Sequence, residues 1–339
     1  MRERWKLVAV LVAACTVRAG TATAQTATVG TFVTYTEPAG TLIMPFDSTT
    51  GHRSFQIVTR VTGNQNGTPV ATHWSYWASD CSHLADFFVC LTPNDTTVVD
   101  PTALQTEVQV PNPPANVKVG ALTDLSGKRG MVTVTAFAAD TGPSGRECKV
   151  LNPSAVLDSV LVGSWTIANA TTNASFGGDA IGVIDPAALP PASILAAGGL
   201  RIQTYDPQEL TDSQVILLPV VYPGGDGAFA QTELGPITSK ITCDAGFVDN
   251  LEIETSIPSL TFKCATFAAI SANVAPKGTA PLIPVTTAVT TSGFVHLRNC
   301  RTSKGILGNK KFVFAFHGQA VGPFGTLTSG KYTSSLPQS

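Results

Sequence analysis

Three groups of residues have the types and spacing that chemistry requires. His83 stands three residues after Asp80 and three before Asp86, inside the segment bracketed by Cys81 and Cys90. A tight loop holding an imidazole between two carboxylates would make a general base or a metal ligand. The competing reading is a solvated loop in which Asp86 helps a turn. Glu252 and Glu254 stand two apart on a β-like run and so share a face. That spacing could suit the paired carboxylates of a glycosidase. Leu251 and Ile253 on the opposite face favour instead a strand with its acids in water, and two acids on one strand do not flank a substrate from both sides. Trp74, Tyr76 and Trp77, in the run HWSYW, could form an aromatic platform that stacks on sugar rings. If one face of that strand is core, either Trp77 or the Trp74/Tyr76 pair faces outward or a second layer; burial under loops is the rival account.

Asp226 in PGGDGAF, and Asp244 with Asp249, offer oxygen ligands of the kind calcium takes, without the spacing of an EF-hand loop. His296 and His317 sit on apolar runs, where hydrogen-bonded core histidines are commoner than catalytic ones. The nucleophile elbow G-x-S-x-G, H-E-x-x-H, and the Walker and Rossmann glycine patterns do not occur. The sequence therefore assigns no catalytic residue, no metal and no cofactor.

The elements that must position these residues follow from composition and pattern. The chain has 339 residues, of which 13% are charged, against about 25% in an average soluble protein. Its polar surface must come from Thr, Ser, Asn and Gln, which suits exposed β structure. Arg2, Arg4 and Lys6 precede the apolar run Leu7 to Val17, and Ala22-Thr23-Ala24 supplies the small residues of a cleavage site. Residues 1–24 read as a signal peptide cut before Gln25. A second reading takes Val12-Ala13-Ala14-Cys15 as a lipobox that would lipidate Cys15. Removing residues 1–24 takes four cations and one acid with it and leaves a net charge of about −5, too negative overall for binding nucleic acid through its phosphates. No later stretch has the roughly 18 unbroken apolar residues of a transmembrane helix.

Export implies an oxidising compartment, and without Cys15 six cysteines remain. None forms a C-x-x-C pair, so disulfides are expected rather than a metal site. Spacing suggests Cys81 with Cys90 and Cys243 with Cys264. Elimination then pairs Cys148 with Cys300, which would tie the two halves of the chain together.

β-like runs recur at hairpin spacing: TFVTYT, TLIMPF, RSFQIVTRV, HWSYW, GMVTVTAFAA and WTIANA, then GLRIQTY, SQVILLPVVY, TSKITC, SLTFKCATF, SGFVHLRNC and KKFVFAFHG. In GMVTVTAFAA, Val132, Val134 and Ala136 alternate with Thr133, Thr135 and Phe137, which predicts one buried and one wet face. Asp-Pro pairs at 100–101, 185–186 and 206–207 start short helical turns that bridge strands. The fold expected is all-β, with two antiparallel sandwich-like domains in the immunoglobulin or jelly-roll style, residues 25–185 and 199–330. An Ala/Pro linker or short helix at 186–198 separates them, and a flexible tail follows at 331–339. Four N-x-S/T runs, at Asn66, Asn94, Asn169 and Asn173, are about as many as a Thr-rich chain has by chance.

These features point to an exported, non-enzymatic structural or adhesive protein of the cell surface or matrix, its partners surface glycans or other surface proteins. Periplasmic or lipid-anchored placement is the alternative location. The rival functions are a carbohydrate-binding module using Trp74, Tyr76 and Trp77, and a secreted hydrolase of unfamiliar type.

Overall fold

The structure, a computed structural model, describes residues 33–34, 37–61, 69–104, 124–140, 148–170, 174–188, 200–204, 212–249, 251–271, 281–283, 293–303, 305–306, 311–320 and 328–332. Residues 1–24 with Cys15, residues 189–198 of the expected linker, Asp206-Pro207, Asn66, Asn173 and the last seven residues lie outside that set. It is nearly all β. Eleven strands come from the first half: β1 (Val33–Thr34), β2 (Thr41–Asp47), β3 (His52–Arg60), β4 (Val70–Ala78), β5 (His83–Leu91), β6 (Thr96–Val99), β7 (Arg129–Asp140), β8 (Lys149–Val150), β9 (Leu161–Asn169), β10 (Ala174–Asp179) and β11 (Ile181–Val183). Eleven come from the second: β12 (Leu200–Thr204), β13 (Asp212–Val221), β14 (Gly235–Pro236), β15 (Ile241–Asp249), β16 (Glu254–Phe262), β17 (Thr266–Ser271), β18 (Pro281–Ile283), β19 (Gly293–Thr302), β20 (Gly305–Ile306), β21 (Lys311–Ala320) and β22 (Thr328–Tyr332).

The first set forms a seven-stranded sheet, β1-β11-β2-β7-β4-β5 with β8 beside β7, and a four-stranded sheet, β10-β9-β3-β6. The second forms a five-stranded sheet, β12-β19-β15-β16 with β20 beside β19, and a six-stranded sheet, β18-β17-β13-β21-β22 with β14 beside β13. Pairing is antiparallel apart from β17 with β18, and among the described residues no strand pair joins the two sets. Helical structure is slight, as the short Asp-Pro signals imply: Asp100 and Asp185 each accept a hydrogen bond from the backbone N–H two residues on, at 2.8 Å, and the turn after Asp185 is a 3-10 helix of three residues, Pro186–Ala188.

Strand pairing separates the halves; the core does not. The cluster built on Trp74, Tyr76 and Trp165 also takes in Ile216, Leu218, Val220, Phe267 and Phe316 of the second half. Val215 and Leu217, the alternate residues of β13, join a second cluster with Ile241, Phe247, Val295 and Leu297. The unbroken apolar run of β13 thus has a packed layer on each side.

The same holds for β4, whose nine residues are all buried. Trp74 and Tyr76 face β3 and β9, with the Tyr76 hydroxyl donating to Gln56 Oε1 at 3.0 Å. His73, Ser75 and Trp77 face the other way. The wet face expected for β7 is not wet: Thr133 and Thr135, which pair with Ser75 and His73, are buried. Alternation read correctly that two faces differ, but a Thr-lined face can be covered by a partner layer as readily as by water.

All three disulfides differ from those expected. The bonds are Cys81–Cys264, Cys90–Cys148 and Cys243–Cys300. Cys81 and Cys90 cannot meet because the residues between them form a strand, not a loop, which sets them roughly 25–30 Å apart. Cys264 lies beyond Phe262, the last residue of β16, which pairs with Ile241, so the hairpin carries it past Cys243. Cys243 instead meets Cys300 on the neighbouring strand β19, and Cys148 meets Cys90 on β5. The bond between the halves is Cys81–Cys264, closing 183 residues of chain; loop-closure entropy puts such a constraint at about 4–5 kcal/mol against the unfolded state.

Candidate functional site

Among the described residues a close grouping of titratable side chains lies where the halves meet. After β13, residues 222–236 leave the sheet and return to it. The loop is pinched at its base, where the N–H groups of Gly224 and Gly225 donate to Glu233 O at 2.8 and 3.1 Å. A Cβ on Gly235 would stand 1.6 Å from Gly224 O, so this crossing requires glycine. The loop tip then reaches the first half: Thr232 Oγ1 donates to Pro153 O at 3.0 Å, and Phe229 enters a cluster with Ala71, Phe88, Phe137 and Cys148.

Glu233 comes with it. Its Oε1 lies 2.8 Å from His73 Nδ1, and both side chains are 1% exposed. Asp86 Oδ2 approaches the other ring nitrogen, Nε2, at 3.5 Å. Phe88 stacks on one side of the imidazole, with ring centroids 4.5 Å apart, and Phe229 packs at 4.4 Å. Burial alone would pull the His73 pKa down, but the charges and hydrogen bonds of Glu233 and Asp86 outweigh it and hold the ring protonated, up to about 9. The group is an imidazolium clamped between two carboxylates and two rings. It can hold charge and fix the approach of the two halves; it has no face open to a substrate.

His83 belongs to the same junction. One extra residue in β5 shifts the register between Tyr76↔Ala85 and Trp77↔His83, and the bulge moves His83 from the Ala85 face to that of Asp86. It packs against Trp77 at 4.7 Å and lies 3.4 Å from Asp226 Oδ2. His83 shares a face with Asp86, but the carboxylate beside its ring is that of Asp226, not of Asp80 or Asp86. Asp80 accepts from Ser82 N and Oγ in the turn, which lowers its pKa, and Asp86 faces His73.

The other predicted residues are dispersed. Trp74 and Tyr76 are fully buried and Trp77 is 8% exposed, so these rings offer no platform to a sugar. Burial, and after it Asp100, raises the Tyr76 pKa well above its ordinary value. Glu252 sits in the β15–β16 turn with φ 63°, and Glu254 starts β16 in an ion pair with Arg298; they do not share a strand face. Leu251 and Ile253, expected to be on a covered face, are 73% and 59% exposed. Asp226, Asp244 and Asp249 are apart as well: Asp244 bonds Asn299 and Arg301, which lower its pKa, and Asp249 accepts from the backbone of Leu251 and Ile253. Among the described residues no group of three or more His, Cys, Asp or Glu side chains is placed to hold a metal ion. Asn94 is exposed and Asn169 buried. His296 is half-buried on β19, 6.3 Å from Phe294; the His317 side chain is outside the described set.

Sequence reasoning missed Glu233 and Phe229, in the run GAFAQTELG. Nothing local in that run marks Glu233 as buried, since an acid in a glycine-rich loop reads in sequence as solvated. No family model, no curated protein and no solved structure matches the chain.

Proposed function

We propose that this chain is an exported structural or adhesive protein of the cell surface or extracellular matrix. Its two sandwich-like domains, residues 25–185 and 199–330, are locked into one stiff body. The observation that carries the reading is the junction: His73, Asp86, Glu233 and the His83–Asp226 pair are spent on holding the halves together, and a disulfide closes the same contact. Stiff, cross-linked β architecture suits a protein that bears load or presents a surface. Three disulfides accord with an oxidising compartment.

The test is display of the full chain on a non-adherent host cell, with attachment to matrix-coated surfaces measured beside export of the oxidised protein. The expected result is export with increased attachment that requires the folded protein. Retention inside the cell, or export with no increase in attachment and no assembly at the surface, would overturn the proposal.

A further inference from the structure

A cleft of about 570 Å³ lies between the halves, beside the Cys81–Cys264 bond. Its volume falls within the range of about 300–1,000 Å³ usual for small-ligand sites. Ser79 and Arg129 come from the first half, and Thr238, Lys240, Lys263 and Phe267 are among the lining residues from the second. Three cations and no carboxylate face it, in a chain whose net charge is −2. Arg53, Arg298 and Arg301 each have an acid beside them. Arg129, Lys240 and Lys263 have none among the described residues. Asp47, the cross-strand partner of Arg129, accepts instead from the backbone and hydroxyl of Thr49.

The Arg129 guanidinium lies over the Phe267 ring, 5.2 Å from its centroid, and Ser79 Oγ donates to Arg129 O at 3.1 Å. Stacking holds the flat cation in one orientation and leaves its N–H edge free for two parallel bonds to an oxyanion. Lys240 and Lys263 add charge. The hydroxyls of Ser79, Thr238 and Thr266 supply acceptor lone pairs for ligand hydroxyls.

We propose that this cleft binds the carboxylate-bearing ring of an acidic sugar, a uronic-acid unit, with Arg129 gripping the carboxylate and the Ser and Thr side chains meeting the ring hydroxyls. The site is independent of the adhesive role and would stand without it. Both halves contribute, so the cleft exists only when they are joined.

The experiment is calorimetric titration of the oxidised protein with an oligouronate, with a neutral oligosaccharide of the same linkage and with inorganic phosphate. Saturable binding of the oligouronate alone is expected, weakened at least tenfold both in Arg129→Gln and in the Lys240→Gln/Lys263→Gln double variant. The exposed lysines can be changed without disturbing the fold, so the double variant decides the matter even if Arg129→Gln is unstable. Equal binding of the neutral sugar, phosphate binding as tightly as the oligouronate, unchanged affinity in the double variant, or no saturable binding would each overturn the proposal.

Discussion

The two faces of β4 solve burial in different ways. On the face toward β3 and β9 every polar atom of β4 finds a partner: Trp74 Nε1 donates to Thr72 Oγ1, which donates to Val89 O, and the Tyr76 hydroxyl donates to Gln56. On the face toward the second half Ser75 Oγ and Trp77 Nε1 are buried without a hydrogen bond among the described residues, as is Glu233 Oε2 opposite them. The first face is a core in which the polar atoms of β4 are satisfied by residues of the first half. The second is an interface, in which apolar contact and one charged cluster must offset several unpaired groups. The interface should therefore open before the core does.

The largest expected effect lies on the core face. Trp74→Ala removes a fully buried indole and should cost about 4 kcal/mol in denaturant unfolding; a loss below about 1 kcal/mol would mean that the face is not packed. Glu233→Ala, on the interface, takes away the main counter-charge of a buried imidazolium. It should cost about 3 kcal/mol and raise protease sensitivity within 222–236 before it affects cleavage near Trp74.

Alkali should separate the faces without mutation. The folded His73 pKa, about 9, lies above its ordinary 6.5. The stabilisation is thus fully present below about pH 6.5 and lost as pH rises through about 9. Unfolding midpoints should fall across that window in the wild type, and the fall attributable to His73 should be much reduced in Glu233→Gln. Identical profiles for the two proteins would remove His73 from the account. The smallest effect belongs to the exposed pair at the far sheet, where Arg298→Gln should change stability by less than about 0.5 kcal/mol.

The β class, the hairpin spacing and the Asp-Pro turns at Asp100 and Asp185 were legible because each is local: alternation over a few residues, or a side chain capping its own turn. The strand at HWSYW was legible too, from its alternation. What lay on the second face was not. Thr133, Thr135, Ser75 and His73 look the same in sequence whether water or another layer covers them, and the cover comes from a loop some 160 residues away. The cysteines failed for a related reason. Spacing along the chain pairs near neighbours, but a strand between Cys81 and Cys90 carries them apart, and only the fold brings Cys81 to Cys264.

Peptide mapping of the oxidised protein under non-reducing conditions tests the joining of the halves most directly. It should yield the Cys81 peptide linked to the Cys264 peptide. Recovery of Cys81 linked to Cys90, or of both as free thiols, would contradict the junction on which the account rests.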